Sequence, residues 1–144
     1  MGGNISLNVA RRVNGLCGLI LITPFDASLR LNTDPQWLRS LLEEGLIMSS
    51  DGIDSMFADI AGHPEYGFMH SPELLDDVHV YICGASLDTA APAHEMAVPL
   101  YELLCQRNVN KLRQYNEYCS DHGLIGSRID LIRSIAEFVA FAAE

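Results

Sequence analysis

The segment Leu74-Leu75-Asp76-Asp77-Val78-His79-Val80-Tyr81-Ile82-Cys83-Gly84 admits two periods, and the choice between them decides the fold. At helical spacing, Leu74, Leu75, Val78 and Ile82 line one face, and Gly84 ends the helix. Just upstream, Ser71-Pro72-Glu73 reads as an N-cap, a proline at the first helical position and an acid near the positive end of the helix. At period two, Val78, Val80 and Ile82 share a face, and Val78–Cys83 reads as a strand. The start signals tip the reading toward helix.

Working outward, the same preference recurs. Before the segment, Val9, Val13 and Leu16 recur at helical spacing within Ile5–Ile22, although Leu19–Thr23 could equally be a short buried strand stopped by Pro24. Thr33 and Gln36 form a capping-box pattern, with Trp37, Leu38, Leu41 and Leu42 on one face and Gly45 as the stop. Ile53, Met56, Phe57 and Ile60 predict a further helix, and residues 61–70 a loop. After the segment, 86–91 is a connector. Met96, Leu100, Leu103 and Leu104 then mark a helix over Pro92–Arg107, which Pro99 should bend or confine in its regular part to the second half. Leu112, Tyr115 and Cys119 mark a helix from Asn110 to Gly123. Ser127 and Asp130 open a last one, whose apolar stripe of Ile129, Ile132, Ile135, Phe138, Val139 and Ala142 is widened by Leu131 and Phe141.

The fold expected is therefore mostly α: a single domain of 144 residues, a bundle of about six short helices with room for a two- or three-stranded sheet. An α+β arrangement is the runner-up. A doubly wound sheet would have only Leu19–Thr23, Leu46–Met48 and Val78–Cys83 to draw on. Evenly spaced alternating runs are missing, which argues against a sandwich or barrel.

Charge is distributed unevenly. The net charge is -10, and from Ser40 to Gln106 there are twelve Asp or Glu and no Lys or Arg. Duplex binding needs cations to displace counterions from phosphates, so no nucleic-acid partner is expected. Five bases near the end, Arg107, Lys111, Arg113, Arg128 and Arg133, read as internal counterparts of the acidic middle. Cys17, Cys83, Cys105 and Cys119 form no CxxC and read as free thiols of a cytoplasmic protein. The apolar run Leu16–Ile22 is short of the roughly 20 residues a bilayer requires. Gly2 with Ser6 fits an N-myristoylation pattern, which makes Gly2 a candidate lipidation site and the one route to a membrane.

Sequence motifs of known chemistry are missing. The five histidines follow no zinc spacing, and no cofactor or metal is expected. With Asp51 as the first calcium ligand the third would be Ile53, which has no oxygen to offer from its side chain. Cys119 and His122 sit i, i+3 on the expected helix without an orienting third group. The chain thus reads as a non-enzymatic protein-binding module: an adaptor, a secretion-type chaperone or an inhibitor or immunity protein. Its partner would be a protein with a basic surface, in a homo- or hetero-oligomer. The candidate contacts are Glu43, Glu44, Asp51, Asp54, Asp59, Asp76 and Asp77, with Phe138 and Phe141 as apolar anchors. The alternative is a small hydrolase or metal-dependent enzyme built around His63, His70 and Cys83.

Overall fold

The period-two reading of the deciding segment wins. A computed structural model describes residues 2–45 and 50–143. In it, strand β2 occupies His79–Ala85 and is flanked by β1 (Gly18–Ile22) and β3 (Arg113–Tyr118). Both pairings are parallel in a sheet of order β1-β2-β3, with Gly18 opposite His79 and Val80 opposite Arg113. The described residues also form six helices: α1 (Gly2–Ala10), α2 (Ala27–Thr33), α3 (Pro35–Glu43), α4 (Ile53–Gly62), α5 (Ala97–Gln106) and α6 (Arg128–Ala142). The expected bundle of six helices with a small sheet is what the chain forms. The strand candidate Leu46–Met48 lies outside the described residues. No helix among them is long and apolar enough to cross a membrane.

Two cores explain why a strand displaces the helix expected over Leu74–Gly84. Val80 and Ile82 enter one, with Leu7, Leu19, Leu21, Phe68, Met96, Leu100 and Leu104. Tyr81, Cys83 and Ala85 enter the other, with Leu124, Leu131 and Phe138. A central parallel strand covered on both faces needs apolar side chains at every position, which a single helical stripe cannot use. The helix start at Ser71 gives only one 3-10 turn, Pro72–Leu75. Ser71 itself has φ 47°, and its side chain caps nothing.

Other expectations are corrected in kind. The segment from Ile5 to Ile22 divides into α1 and β1, the strand being the alternative left open at Leu19–Thr23. Asp34, not Thr33, caps α3: its carboxylate accepts the Trp37 amide at 3.1 Å, while the Thr33 hydroxyl turns back to the Leu29 carbonyl. Helix α2, capped by Asp26, had no periodic signal. Pro99 falls in the first turn of α5, where its missing N–H has no partner to lose, so α5 starts later than Pro92. The helix expected over Asn110–Gly123 is strand β3 and a loop. Its polarity suits an edge: Tyr115 packs toward the first core and Tyr118 toward the second. The Tyr118 hydroxyl meets Tyr81 Oη and Ser134 Oγ at 3.0 Å each, which ties β3 to β2 and α6. Burial first, and Tyr118 second, hold the Tyr81 phenol well above its ordinary range.

One of the late bases meets the acidic middle. Arg107 grips Asp76 through both carboxylate oxygens, at 2.5 and 2.6 Å, and this holds the Asp76 carboxyl below its ordinary range. Arg113 instead donates to the Val78 and Leu75 carbonyls, and Arg133 pairs with Asp130 within α6.

Gly84 marks the tightest point between β2 and its neighbours. A Cβ there would lie 2.7 Å from Ala93 Cβ and 2.7 Å from Tyr115 Oη. Gly84→Ala should therefore destabilise the fold by about 1–3 kcal/mol through overpacking. Urea unfolding would show a lower midpoint with an unchanged slope.

Candidate functional site

Because the three strands are parallel, their C-terminal ends finish side by side, and the chain leaves the sheet there in three loops. Open parallel sheets hold ligands at this edge where the strand order reverses; the order β1-β2-β3 has no reversal among the described strands, so here the edge is marked by its side chains alone. Three backbone bonds carry the ladder past the strands: Thr23 N–H to the Cys83 carbonyl, Ser86 N–H to that of Tyr118, and Leu87 N–H to that of Ser120, at 2.9, 2.9 and 3.0 Å.

Asp88 follows β2 and has a fully buried side chain. Its Oδ1 accepts the amides of Ala90 and Ala91 at 2.9 and 2.8 Å. Its Oδ2 lies 2.7 Å from Nδ1 of His122, which follows β3. An ionised carboxylate can only accept, so Nδ1 donates, and in the neutral ring Nε2 is the nitrogen that keeps its lone pair. The imidazole is about half exposed, at 52% of its side-chain surface. The loop bearing it is held on both flanks: Ser120 Oγ donates to the Ile125 carbonyl at 2.9 Å, and Asp121 Oδ1 accepts the Ile125 amide. The Thr23 hydroxyl donates to the His122 carbonyl at 3.3 Å. A buried acid bonded to Nδ1 of an accessible histidine is the arrangement by which catalytic triads orient their imidazole.

Neither residue of this pair was a sequence candidate. Asp88 fell in the connector 86–91, and His122 was set beside Cys119 on a helix that does not form. The available signal was positional: once Val78–Cys83 and Arg113–Tyr118 are strands, Asp88 and His122 each stand just past a strand end.

The alternative constellation is dispersed. His63 is exposed, 2.9 Å from Glu65 and 3.6 Å from Asp59; the Glu65 hydrogen bond raises its pKa. His70 borders a hollow of about 240 Å³ with Asp26, Ser28, Ile60 and Phe68. Cys83 is buried in β2, and desolvation pushes its thiol upward. His79 Nδ1 accepts the Leu112 amide at 3.0 Å, and burial, then Lys111 and Arg113, lower its pKa. Among the described residues no three His, Cys, Asp or Glu are placed to hold a metal.

The candidate partner contacts occupy several places. Glu43 and Glu44 end α3, and both are exposed, as are Asp51, Asp54, Asp59 and Asp77. Asp54 meets Arg39 at 3.4 Å, and Asp76 is held by Arg107. Phe138 is 2% exposed and packs on Tyr81 at 5.7 Å between ring centres. Phe141 is 51% exposed and edge-on to His79. Of the two aromatic anchors, only Phe141 thus presents surface. Gly2 is the first residue of α1.

No family model matches this chain, and no curated protein matches it.

Asp88→Ala strands the Ala90 and Ala91 amides, the latter on a buried residue, and should cost about 1–3 kcal/mol. Asp88→Asn retains an acceptor for both amides and should cost less. Chemical denaturation of the two variants beside the parent orders them.

Proposed function

We propose that the chain carries the general-base half of a hydrolytic centre, with His122 as the base and Asp88 as its orienting acid. The observation that supports this is the 2.7 Å bond between a fully buried Asp88 and a half-exposed His122 at adjacent parallel strand ends. His122 Nε2 takes a proton from an attacking oxygen, and Asp88 stabilises the imidazolium that forms. As the leaving group departs, the imidazolium returns the proton to it. No hydroxyl or thiol among the described residues bonds His122 Nε2, so the attacking oxygen belongs to water or to a hydroxyl brought from outside them. Hydrolases built on parallel sheets use the same chain order, acid and then histidine, which is an analogy of arrangement.

The test is turnover of p-nitrophenyl acetate by the purified chain, with His122→Gln and Asp88→Asn alongside. General-base catalysis is worth roughly 10²- to 10⁴-fold, and His122→Gln should remove it. Equal rates in parent and His122→Gln would defeat the reading.

A second reading, the non-enzymatic protein-binding module, is favoured by the surface of α6. Ile129, Ile132, Val139 and Phe141 are each at least half exposed there, beside the exposed acids Asp130 and Glu137 of the same helix. On this reading a basic protein docks its apolar surface on α6 while the acidic field speeds encounter. Its association rate should fall by about tenfold or more between low and high salt, measured by stopped flow. A rate indifferent to salt would remove the steering claim.

A further inference from the structure

Thr23 holds a backbone conformation rare for its residue type. It is β-branched and precedes Pro24, two features that disfavour a helical or left-handed backbone, yet its φ is 39°. Non-glycine residues held in this region persist only where their surroundings over-determine them, and they gather at functional sites. The surroundings here are specific. Thr23 N–H extends the β1–β2 ladder to the Cys83 carbonyl at 2.9 Å, so the turn begins directly at the end of the strand. Pro24 then abuts α1 so closely that a Cβ on Gly3 would lie 3.1 Å from Pro24 Cα. With both sides fixed, the nearly buried Thr23 side chain is turned across the sheet edge toward the loop after β3. There its hydroxyl donates to the His122 carbonyl at 3.3 Å.

We propose that Thr23 is the positioning residue of the acid–base pair, holding the His122 backbone so that the imidazole stays on Asp88. This rests on the reading of Asp88 and His122 given above. The two contacts are complementary: Asp88 fixes the ring at Nδ1, and Thr23 fixes the main chain of the same residue. Neither alone defines where Nε2 points, because a ring on a wandering backbone and a fixed backbone with a free ring both leave it undirected. The strained turn is what lets a residue just past β1 reach a residue past β3 across the intervening β2. A strand continuing straight would carry the hydroxyl past the loop.

The test separates this claim from the catalytic reading. In the full chain labelled with ¹⁵N, the Nδ1–H proton bonded to Asp88 is assigned by its loss in His122→Gln. Thr23→Val keeps the shape and removes the hydroxyl; Thr23→Ser keeps the hydroxyl. Thr23→Val should speed solvent exchange of that proton by about tenfold, the factor that one neutral hydrogen bond is worth, and Thr23→Ser should restore it. If Thr23→Val does not fold, Thr23→Gly, which removes the hydroxyl and accepts the left-handed backbone, should show the same acceleration. Parent-like exchange in a folded Thr23→Val or Thr23→Gly overturns the proposal. Parent-like exchange together with turnover that His122→Gln abolishes would leave the catalytic reading standing alone. Accelerated exchange in a chain with no turnover would leave Thr23 as the positioner of a pair that is not a base.

Discussion

Strand β2 must be buried on both faces at once, and most of the molecule is arranged around that requirement. Its side chains alternate between two cores that share no residue: Val80 and Ile82 face α1 and α5, while Tyr81, Cys83 and Ala85 face α6. A strand so enclosed has no polar face, so its backbone groups must be satisfied by neighbours on either side, and β1 and β3 supply them in parallel register. Parallel pairing in turn demands long returns. The chain spends α2, α3 and α4 between β1 and β2, and α5 between β2 and β3.

Parallel register has a further consequence. All three strands release the chain at the same edge, where Thr23, Asp88 and His122 come together although the last two are 34 positions apart in sequence. The loops there carry several constrained features. Thr23 and Leu124 have positive φ, Asp88 caps two amides, and Ser120 and Asp121 close the His122 loop on itself.

Element existence was largely legible in the sequence, because amphipathic helices announce themselves by period: α3, α4, α5 and α6 each stand where their apolar spacing placed them, within a few residues. What was hidden was the type of the short segments. Val78–Cys83 satisfies both periods, and only the presence of a second core, a long-range fact, separates them. Arg113–Tyr118 carries no apolar run, because an edge strand needs only half a face, and its tyrosines at 115 and 118 sit at helical spacing by coincidence. Misreading β3 as a helix hid the site. His122 then became a helical neighbour of Cys119, although it stands just past the end of a strand and faces the acid that follows the adjacent strand.

Burial of an acid is not by itself a sign of chemistry, and the chain contains its own control. Asp26 is as buried as Asp88 and sits past the end of β1, but its oxygens are taken by the amides of Ser28, Leu29 and Phe68 and by the Ser28 hydroxyl. Every partner is a fixed donor of the fold, so Asp26 caps α2 and secures the 61–70 loop, with Arg11 holding the carbonyls of Gly67 and Phe68 beside it. Asp88 differs in one respect: its second oxygen goes to a titratable ring that reaches solvent. The other histidines lack such a partner. His79 is held by a backbone amide, His63 faces exposed carboxylates, and His94, largely exposed, meets Glu95 at 3.7 Å. Fully buried carboxylate on one side and open imidazole on the other is an arrangement that structural capping does not require, and it is the asymmetry a proton-transfer pair needs.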